Sequence, residues 1–217
     1  RTGLGFCLEF APESICREVD IWLGRPDVVD EAHETRAVRR ASLVELLPMP
    51  VVVLLAGRHG LFLHSCAVTN NGEGILFAGV SGSGKSTMSD LWREYGGPTT
   101  SVIDDEHIIV HRVEGETMLY GAPWKRGPRE ATTECAPLRA VFFLSHGAEN
   151  RCVPLSPGDA LAQLMSQVFL PVWSREQMEL TMQTSADLVQ EAECYHLEFI
   201  PDGDIVRFVQ DRLWDSV

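Results

Sequence analysis

A glycine-rich stretch at residues 79–87, Gly-Val-Ser-Gly-Ser-Gly-Lys-Ser-Thr, constrains the fold of this chain more than any other segment. It contains the pattern Gly-x-x-x-x-Gly-Lys-Ser/Thr of a phosphate-binding loop. The apolar run Gly74–Ala78 before it is typical of a buried strand, and Ser86–Tyr95 after it has the pattern of a helix. A strand, a phosphate loop and a helix in this order predict an α/β fold with the loop at the end of a sheet strand.

Each part of this loop has a chemical reason. The glycines let backbone N–H groups surround phosphate oxygens, and the start of the following helix adds partial positive charge. Lys85 supplies a cation for the β- and γ-phosphates, and the Ser86 hydroxyl can bind Mg²⁺. The sequence therefore predicts binding of a nucleoside triphosphate or a similar phosphate ligand. The predicted contact residues are Gly79, Val80, Ser81, Gly82, Ser83, Gly84, Lys85, Ser86 and Thr87.

The composition argues against several classes of protein. The 217 residues are enough for one domain with a substantial core, and no apolar run is long enough for a transmembrane span. The formal net charge of −13 argues against nucleic-acid binding, which usually needs a basic face. The six cysteines show neither metal-ligand spacing nor a Cys-x-x-Cys pair, and the N-terminus shows no secretory signal. We therefore expect reduced thiols and a cytoplasmic location, with no membrane partner.

The chain divides into an N-terminal segment, residues 1–41, and one domain, residues 42–217. Because the sequence begins with arginine rather than methionine, we expect it to be a piece of a longer chain. Residues 42–47 have helical spacing, which Pro48 and Pro50 are expected to interrupt. Val51–Ala56 fits either a strand or a buried helix, since a short apolar run does not separate the two.

The remaining elements are predicted from apolar patterns and turn residues. Leu61–Val68 is expected to form a single strand, and the turn at residues 70–72 joins it to the strand before the loop. The later elements are strand Ser101–Ile103, a hairpin of 106–113 with 117–120, strand Leu138–Leu144, helices Pro157–Phe169 and Arg175–Gln190, strand Tyr195–Phe199 and helix Ile205–Trp214.

Two acidic residues, Asp104 and Asp105, come 18 residues after Ser86, directly behind the apolar pair at 102–103. We expect them at the end of a strand adjacent to the strand before the loop, within reach of a bound metal. One carboxylate can complete the Mg²⁺ ligands, and the other can accept a proton from an attacking hydroxyl. The alternative is a surface turn in which both carboxylates only face water.

The spacing of the acidic pair also separates this chain from transporter-type ATPases, which share the spelling of the loop. Those proteins carry a Leu-Ser-Gly-Gly signature and place a metal-binding aspartate at the end of a later apolar strand. This chain has no such signature, and its strand Leu138–Leu144 ends in Ser145 and His146 instead. The sequence therefore argues against a transporter ATPase.

Three segments, residues 63–68, 74–87 and 103–105, resemble the catalytic domain of HPr serine kinase/phosphorylase, a family related in fold to the phosphoenolpyruvate carboxykinases. Residues 121–124 and 138–144 resemble shorter kinase-like relatives, some of which accompany ribosomally made, modified peptides. The resemblance covers roughly residues 42–210. It implies an α/β fold with a mixed sheet that carries the phosphate loop and is flanked by helices.

The resemblance also implies roles for single residues. Lys85 would hold the transferred phosphate, Ser86 and Asp105 would hold Mg²⁺, and Asp104 would be the base. His64 matches a histidine near the phosphate site, although it fits a buried histidine that caps a strand equally well. Residues 118–124 lack the acid and the arginine of the Glu-Ile-Arg-Gly-Leu-Gly segment found in HPr kinase/phosphorylases. This departure argues against phosphorylase activity and against HPr as the substrate.

A basic loop follows at Lys125, Arg126 and Arg129, directly after Trp124. A flexible loop beside a phosphate site can bring a cation to the transferred group, which makes Arg126 a candidate catalytic residue. Exposed solubilising charge is the alternative.

Together these features predict a kinase that uses ATP and Mg²⁺ to phosphorylate a hydroxyl group, chiefly serine in a peptide or small protein. A nucleotide-binding accessory protein without phosphoryl transfer is the alternative. A carboxykinase acting on a small metabolite is less favoured, because the chain is less than half the length that this relationship implies. HPr kinases assemble into hexamers, so a homo-oligomer remains open.

Overall fold

The computed structural model describes residues 6–9, 20–23, 48–122 and 134–214. These residues form eleven strands and five helices. The strands are β1 (Phe6–Glu9), β2 (Asp20–Leu23), β3 (Gly60–His64), β4 (Cys66–Asn70), β5 (Glu73–Ala78), β6 (Thr100–Asp104), β7 (His107–Val113), β8 (Glu116–Gly121), β9 (Cys135–His146), β10 (Arg151–Pro154) and β11 (Glu193–Phe199). The helices are α1 (Pro48–Ala56), α2 (Lys85–Tyr95), α3 (Pro157–Met165), α4 (Arg175–Glu191) and α5 (Asp204–Trp214).

Strand β9 is the longest strand and joins two groups of strands. Its first residues pair antiparallel with β8, and the sheet continues from β8 through β7 to β3. Its later residues pair in parallel with β5 on one side and with β11 on the other. Beyond β5 lie β4 and then β6, and β10 lies beyond β11. The protein is therefore an α/β fold with a mixed, mostly antiparallel sheet flanked by helices, as the sequence predicted.

The order of the strands changes one prediction about the acidic pair. Strand β4 lies between β5 and β6 and is antiparallel to both, so β6 is not adjacent to the strand before the loop. The prediction of adjacent strands is therefore wrong. Because β5 and β6 nevertheless run in the same direction, their carboxyl ends reach the same edge of the sheet, about 10 Å apart from one another.

The core lies on both faces of β5, whose side chains alternate between them. On one face Phe77 packs with Met88 and Trp92 of α2, and all three side chains are fully buried. On the other face Leu76 packs in a cluster that includes residues of α3 and α4. Burial of each large side chain contributes about 1.5–3 kcal/mol, so α2 is fixed firmly against the sheet.

Helix α1 begins at the residues that were expected to interrupt a helix. Pro48 and Pro50 lie in its first turn, where a missing N–H leaves no intrahelical hydrogen bond unmade. Val52 packs against Phe62 and Ala122 on the outer face of the β3–β7–β8 strands. The ambiguous run at residues 51–56 is therefore a buried helix. The helical spacing at residues 42–47, which the prolines were expected to interrupt, lies outside the described residues.

The predicted single strand at residues 61–68 is two strands, separated at Ser65. Strand β3 pairs with β7, whereas β4 pairs with β5 and β6. The tight turn that follows uses Asn71 and Gly72 with positive φ of 52° and 82°, as its residue types predicted. The helix predicted to reach residue 169 ends at Met165, and β10 was not predicted. The other elements lie within a few residues of their predicted bounds.

Some predictions fall largely outside the described residues. Of the segment 1–41, only β1 and β2 are described, and they pair antiparallel with each other. The basic loop with Lys125, Arg126 and Arg129 lies outside the described ranges altogether. None of the described helices is both long enough and apolar enough to cross a membrane.

Candidate functional site

The phosphate loop connects the carboxyl end of β5 to α2, and its glycines are required by close packing or by a positive φ angle. A Cβ atom at Gly84 would lie 2.6 Å from Cζ of Phe199, and the φ angle of Gly84 is +98°. A Cβ at Gly79 would overlap the Ser83 hydroxyl and lie 3.1 Å from the carbonyl oxygen of Leu144. Gly82 has open space around it but a φ of +82°, which L-residues rarely adopt. The backbone of the loop is therefore held in a shape that larger residues would disturb.

Lys85 is the buried cation of the loop, with 7% of its surface exposed. Its Nζ donates hydrogen bonds to the carbonyl oxygens of Gly79, at 2.6 Å, and Val80, at 3.3 Å. Burial lowers the pKa of the Lys85 ammonium below its usual value, because desolvation disfavours the charged form. The Lys85 side chain thus lies along the loop in which it is predicted to bind phosphate.

The first turn of α2 fits a phosphate group. Its N-cap residue is Gly84, which has no side chain to accept hydrogen bonds from the first N–H groups of the helix. The buried Ser83 hydroxyl lies against Gly79 and has no hydrogen-bond partner among the described residues. A phosphate oxygen would accept from these donors, and Ser86 is exposed at the same turn, where its hydroxyl can reach a metal ion.

Asp104 is buried at the end of β6 and holds the turn into β7. Its Oδ1 accepts hydrogen bonds from the backbone N–H groups of Glu106, at 2.8 Å, and His107, at 3.0 Å. No hydrogen bond to Oδ2 is found within the described ranges. Gly121 packs closely here, since a Cβ at that position would lie 2.9 Å from the carbonyl oxygen of Ile103. The predicted base is therefore a fixed carboxylate with one oxygen in a structural role.

Asp105 lies nearer the surface and is paired with the loop helix. Arg93 of α2 donates to it across 3.3 Å and to Asp90 across 2.7 Å. The sequence predicted the carboxylate but not its partner. Helical periodicity is a signal that could have found Arg93, because it comes two turns after Ser86 and therefore lies on the same side of α2.

Cys66 lies at the start of β4, between the loop and the acidic pair. Its Sγ donates to the carbonyl oxygen of Lys85 at 3.3 Å. Burial raises the pKa of the Cys66 thiol to about 12, the Lys85 charge acts in the opposite direction, and the Asp105 charge raises it further. The thiol is therefore a neutral packing group beneath the site.

His146, at the end of β9, is a contact of the loop that sequence reasoning missed. Its Nε2 lies 2.7 Å from the carbonyl oxygen of Gly82, and its ring stacks on Phe199 with centroids 6.0 Å apart. Because β9 is parallel to β5 and adjacent to it, its last residues reach the same edge of the sheet. The apolar run before Ser145 indicated a buried strand, but no local sequence pattern showed that this strand pairs with β5.

His64 lies at the end of β3, at the same edge. Its backbone N–H donates to the carbonyl oxygen of Gln167 at 2.9 Å. With the Gln167 amide oriented to satisfy its neighbours, its nitrogen donates to the carbonyl oxygens of Gly79, at 2.7 Å, and His64, at 3.2 Å. Gln167 thus ties the end of β3 to the start of the loop. The edge gathers Lys85, Ser86, Asp104, Asp105 and His64, whereas Arg126 lies outside the described residues.

The chain is similar to known proteins in sequence and in structure. A model of the family described as "ScmC: SynChlorMet cassette protein ScmC" matches residues 29–198. A search of curated proteins gives no match. Among solved structures, the chain is similar to the Hpr(Ser) kinase/phosphatase from Coxiella burnetii, with 10% identity and a TM-score of 0.38. That similarity covers 69% of this chain and 91% of the other.

Proposed function

The chain belongs to the ScmC family of SynChlorMet cassette proteins, and from its site we propose that it is a kinase dependent on ATP and Mg²⁺. The group transferred is the γ-phosphoryl, and the acceptor is the hydroxyl of a serine in a peptide or small protein. One observation carries the proposal: the phosphate loop and the pair Asp104–Asp105 reach the same edge of the sheet on strands that run in the same direction. Arg93 connects the two across α2.

The loop supplies the donor side of the reaction. Lys85 and the N–H groups at the start of α2 bind and orient the β- and γ-phosphates. Ser86 and Asp105 are the residues that would hold Mg²⁺, which would supply positive charge to neutralise the phosphate oxygens. The oxygen-only set of a hydroxyl and a carboxylate suits this hard cation.

Asp104 supplies the acceptor side. Two backbone N–H groups fix its Oδ1, so its Oδ2 has a defined position at the edge of the site. The acceptor hydroxyl oxygen attacks the γ-phosphorus, its proton passes to Asp104, and ADP leaves. A positioned base of this kind contributes about 10²–10⁴-fold to the rate.

The choice of acceptor rests on the sequence resemblance and on the family description. Residues 121–124 and 138–144 resemble kinase-like relatives that accompany modified peptides. The family description names a cassette protein and no activity. We therefore propose that the acceptor be sought among the peptides and small proteins encoded beside the gene for this chain.

The test is mass spectrometry of such peptides after incubation with Mg-ATP. The native protein should add one phosphate group, and Asp104→Asn should reduce transfer at least about 100-fold while ATP binding persists. Asp211→Asn is the matched control, since Asp211 is exposed on α5 and pairs with Arg207 of the same helix. Undiminished transfer by Asp104→Asn would show that Asp104 is not the base.

A second candidate is a nucleotide-binding accessory protein without phosphoryl transfer. The observation that favours it is the structural role of Asp104, because a protein that only binds nucleotide would also need the turn that Oδ1 holds. Tight ATP binding with slow hydrolysis, unchanged by any candidate acceptor and by Asp104→Asn, would support this function over the kinase.

A further inference from the structure

Three side chains with metal-binding atoms meet beside the phosphate site. His64 of β3 and His107 of β7 are directly opposite each other in an antiparallel pair, so both side chains lie on one face of the sheet. Glu106 directly precedes His107. One ligand atom from each of these three residues lies within 4.8 Å of the other two. This arrangement brings two imidazoles and one carboxylate together.

The surrounding contacts hold His107 in place. It is 6% exposed, its ring stacks on Phe62 with centroids 5.2 Å apart and planes at 11°, and Phe169 lies at 5.7 Å. The ring of His64 meets that of His107 edge-on at 5.9 Å. A buried imidazole fixed by aromatic rings loses little freedom when it binds an ion, so the site is largely formed in advance.

The backbone of the other two residues is also fixed. The backbone N–H of Glu106 donates to Oδ1 of Asp104, and the carbonyl oxygen of Glu106 accepts from the N–H of Ser65 at 3.1 Å. His64 is held by Gln167. The three side chains therefore project from anchored positions at the junction of β3, β4 and β7.

We propose that His64, Glu106 and His107 form a binding site for a divalent transition-metal ion, with Zn²⁺ as the best-fitting ion. Imidazole nitrogen with one carboxylate is a donor set for such ions, whereas Mg²⁺ takes oxygen ligands. Ligand atoms around a tetrahedral Zn²⁺ lie about 3.4 Å apart, so small side-chain rotations complete the site. Three protein ligands leave one position open for water or a substrate oxygen.

This site is separate from the magnesium ligands of the proposed kinase. Ser86 and Asp105 are not among its residues, and its nitrogen donors select a different class of ion. Asp104 joins the two sites, because it holds the N–H groups of both Glu106 and His107. The proposed zinc site goes beyond phosphoryl transfer, and its test does not depend on whether the protein is a kinase.

The test is titration of metal-free full-length protein with Zn²⁺ in competition with a chromophoric chelator. We expect one Zn²⁺ per chain, and an affinity at least about tenfold weaker in Glu106→Gln, since even loss of a group that only supports a ligand costs about 10–100-fold. His111→Gln is the matched control: His111 is on β7 too but outside the cluster, and its affinity should equal that of the native protein.

Because His107 is buried among aromatic rings, its replacement could prevent folding. The loss of zinc affinity is therefore measured in Glu106→Gln. His64→Gln is the second variant and should weaken binding similarly, with circular dichroism confirming the fold of each. X-ray absorption at the zinc edge should show only nitrogen and oxygen ligands, including two imidazoles. Sulfur ligands from the cysteines, or equal affinity in native protein and Glu106→Gln, would overturn the proposal.

Discussion

Gly84 is a residue at which three demands coincide. It has a φ of +98°, it is the N-cap of α2, and a Cβ at this position would meet the ring of Phe199. We expect Gly84→Ala to lower the free energy of unfolding by about 2–5 kcal/mol, the sum of left-handed backbone strain and overpacking. Gly82→Ala is the matched variant, since its φ is +82° but no atom would contact the new Cβ. Its loss should be about 1–2 kcal/mol.

Urea unfolding measures both variants, and equal losses would show that the Phe199 contact relaxes freely. If Gly84→Ala loses more than Gly82→Ala, adding Phe199→Leu to Gly84→Ala should recover part of that loss, because the smaller side chain gives the new Cβ room. The double variant separates the packing contribution from the backbone strain, which it leaves in place.

The buried thiol of Cys66 predicts a pH effect. Its pKa is raised from 9.0 to about 12, so the folded protein keeps a proton that the unfolded chain releases above pH 9. The stabilisation is fully present below pH 9 and is lost as the pH rises towards 12, at about 1.4 kcal/mol per pH unit. Cys66→Ala should remove this share of the slope, measured by urea unfolding between pH 8 and pH 10.5.

Cys135→Ala is the control for losing a thiol. Because Cys135 is exposed in the folded protein, its removal should leave the slope as it is in the native protein. A slope in Cys66→Ala equal to that of the native protein would contradict the prediction.

At the scale of elements, the turn between β6 and β7 allows the structural role of Asp104 to be measured apart from its proposed role as a base. In Asp104→Ala, the buried N–H of His107 and the partly buried N–H of Glu106 lose their acceptor, which should cost about 2–4 kcal/mol of unfolding free energy. Asp104→Asn keeps an acceptor oxygen and should lose about 1 kcal/mol or less. Thermal and urea unfolding check both variants. Equal stability of the two would mean that Oδ1 does not hold the turn.

The elements that could be predicted from sequence are those with their pattern in one short segment. The strand, loop and helix at residues 74–95 follow from an apolar run, glycines and helical spacing. The break at Ser65 could not be predicted, because it results from the different partners of β3 and β4. The start of α1 at Pro48 could not be predicted either, because the effect of a proline depends on where in a helix it lies.

The residues of the candidate site likewise fall into those that local sequence motifs predict and those that only the fold brings together. Lys85, Ser86 and the acidic pair belong to local motifs, and the structure brings them to one edge. Arg93 and His146 reach that edge through the packing of α2 and the pairing of β9, which no local pattern encodes. The pairing of His64 with His107 depends likewise on the register of β3 against β7.

For the whole molecule, ligand binding should appear as added stability. If ATP and Mg²⁺ bind only the folded protein, ATP at 100 times its Kd adds about 2.7 kcal/mol. For a chain of this size that raises the Tm by roughly 5–11 °C. Lys85→Ala should show almost no rise, whereas Arg207→Ala, at an exposed position on α5, should match the native protein. Thermal scans with and without Mg-ATP measure the shift, and an equal rise in Lys85→Ala would exclude the loop as the binding site.

The strand β9 determines when the phosphate loop is completed during folding. The β4–β5 hairpin and α2 form from neighbours in sequence, but His146 comes 64 residues after the Gly82 carbonyl that it contacts. Contacts over such distances form slowly, because a long segment of chain must close first. We therefore expect a refolding chain to form the β4–β5 hairpin and α2 before His146 reaches the loop. During synthesis, the loop therefore cannot make this contact until residue 146 has left the ribosome.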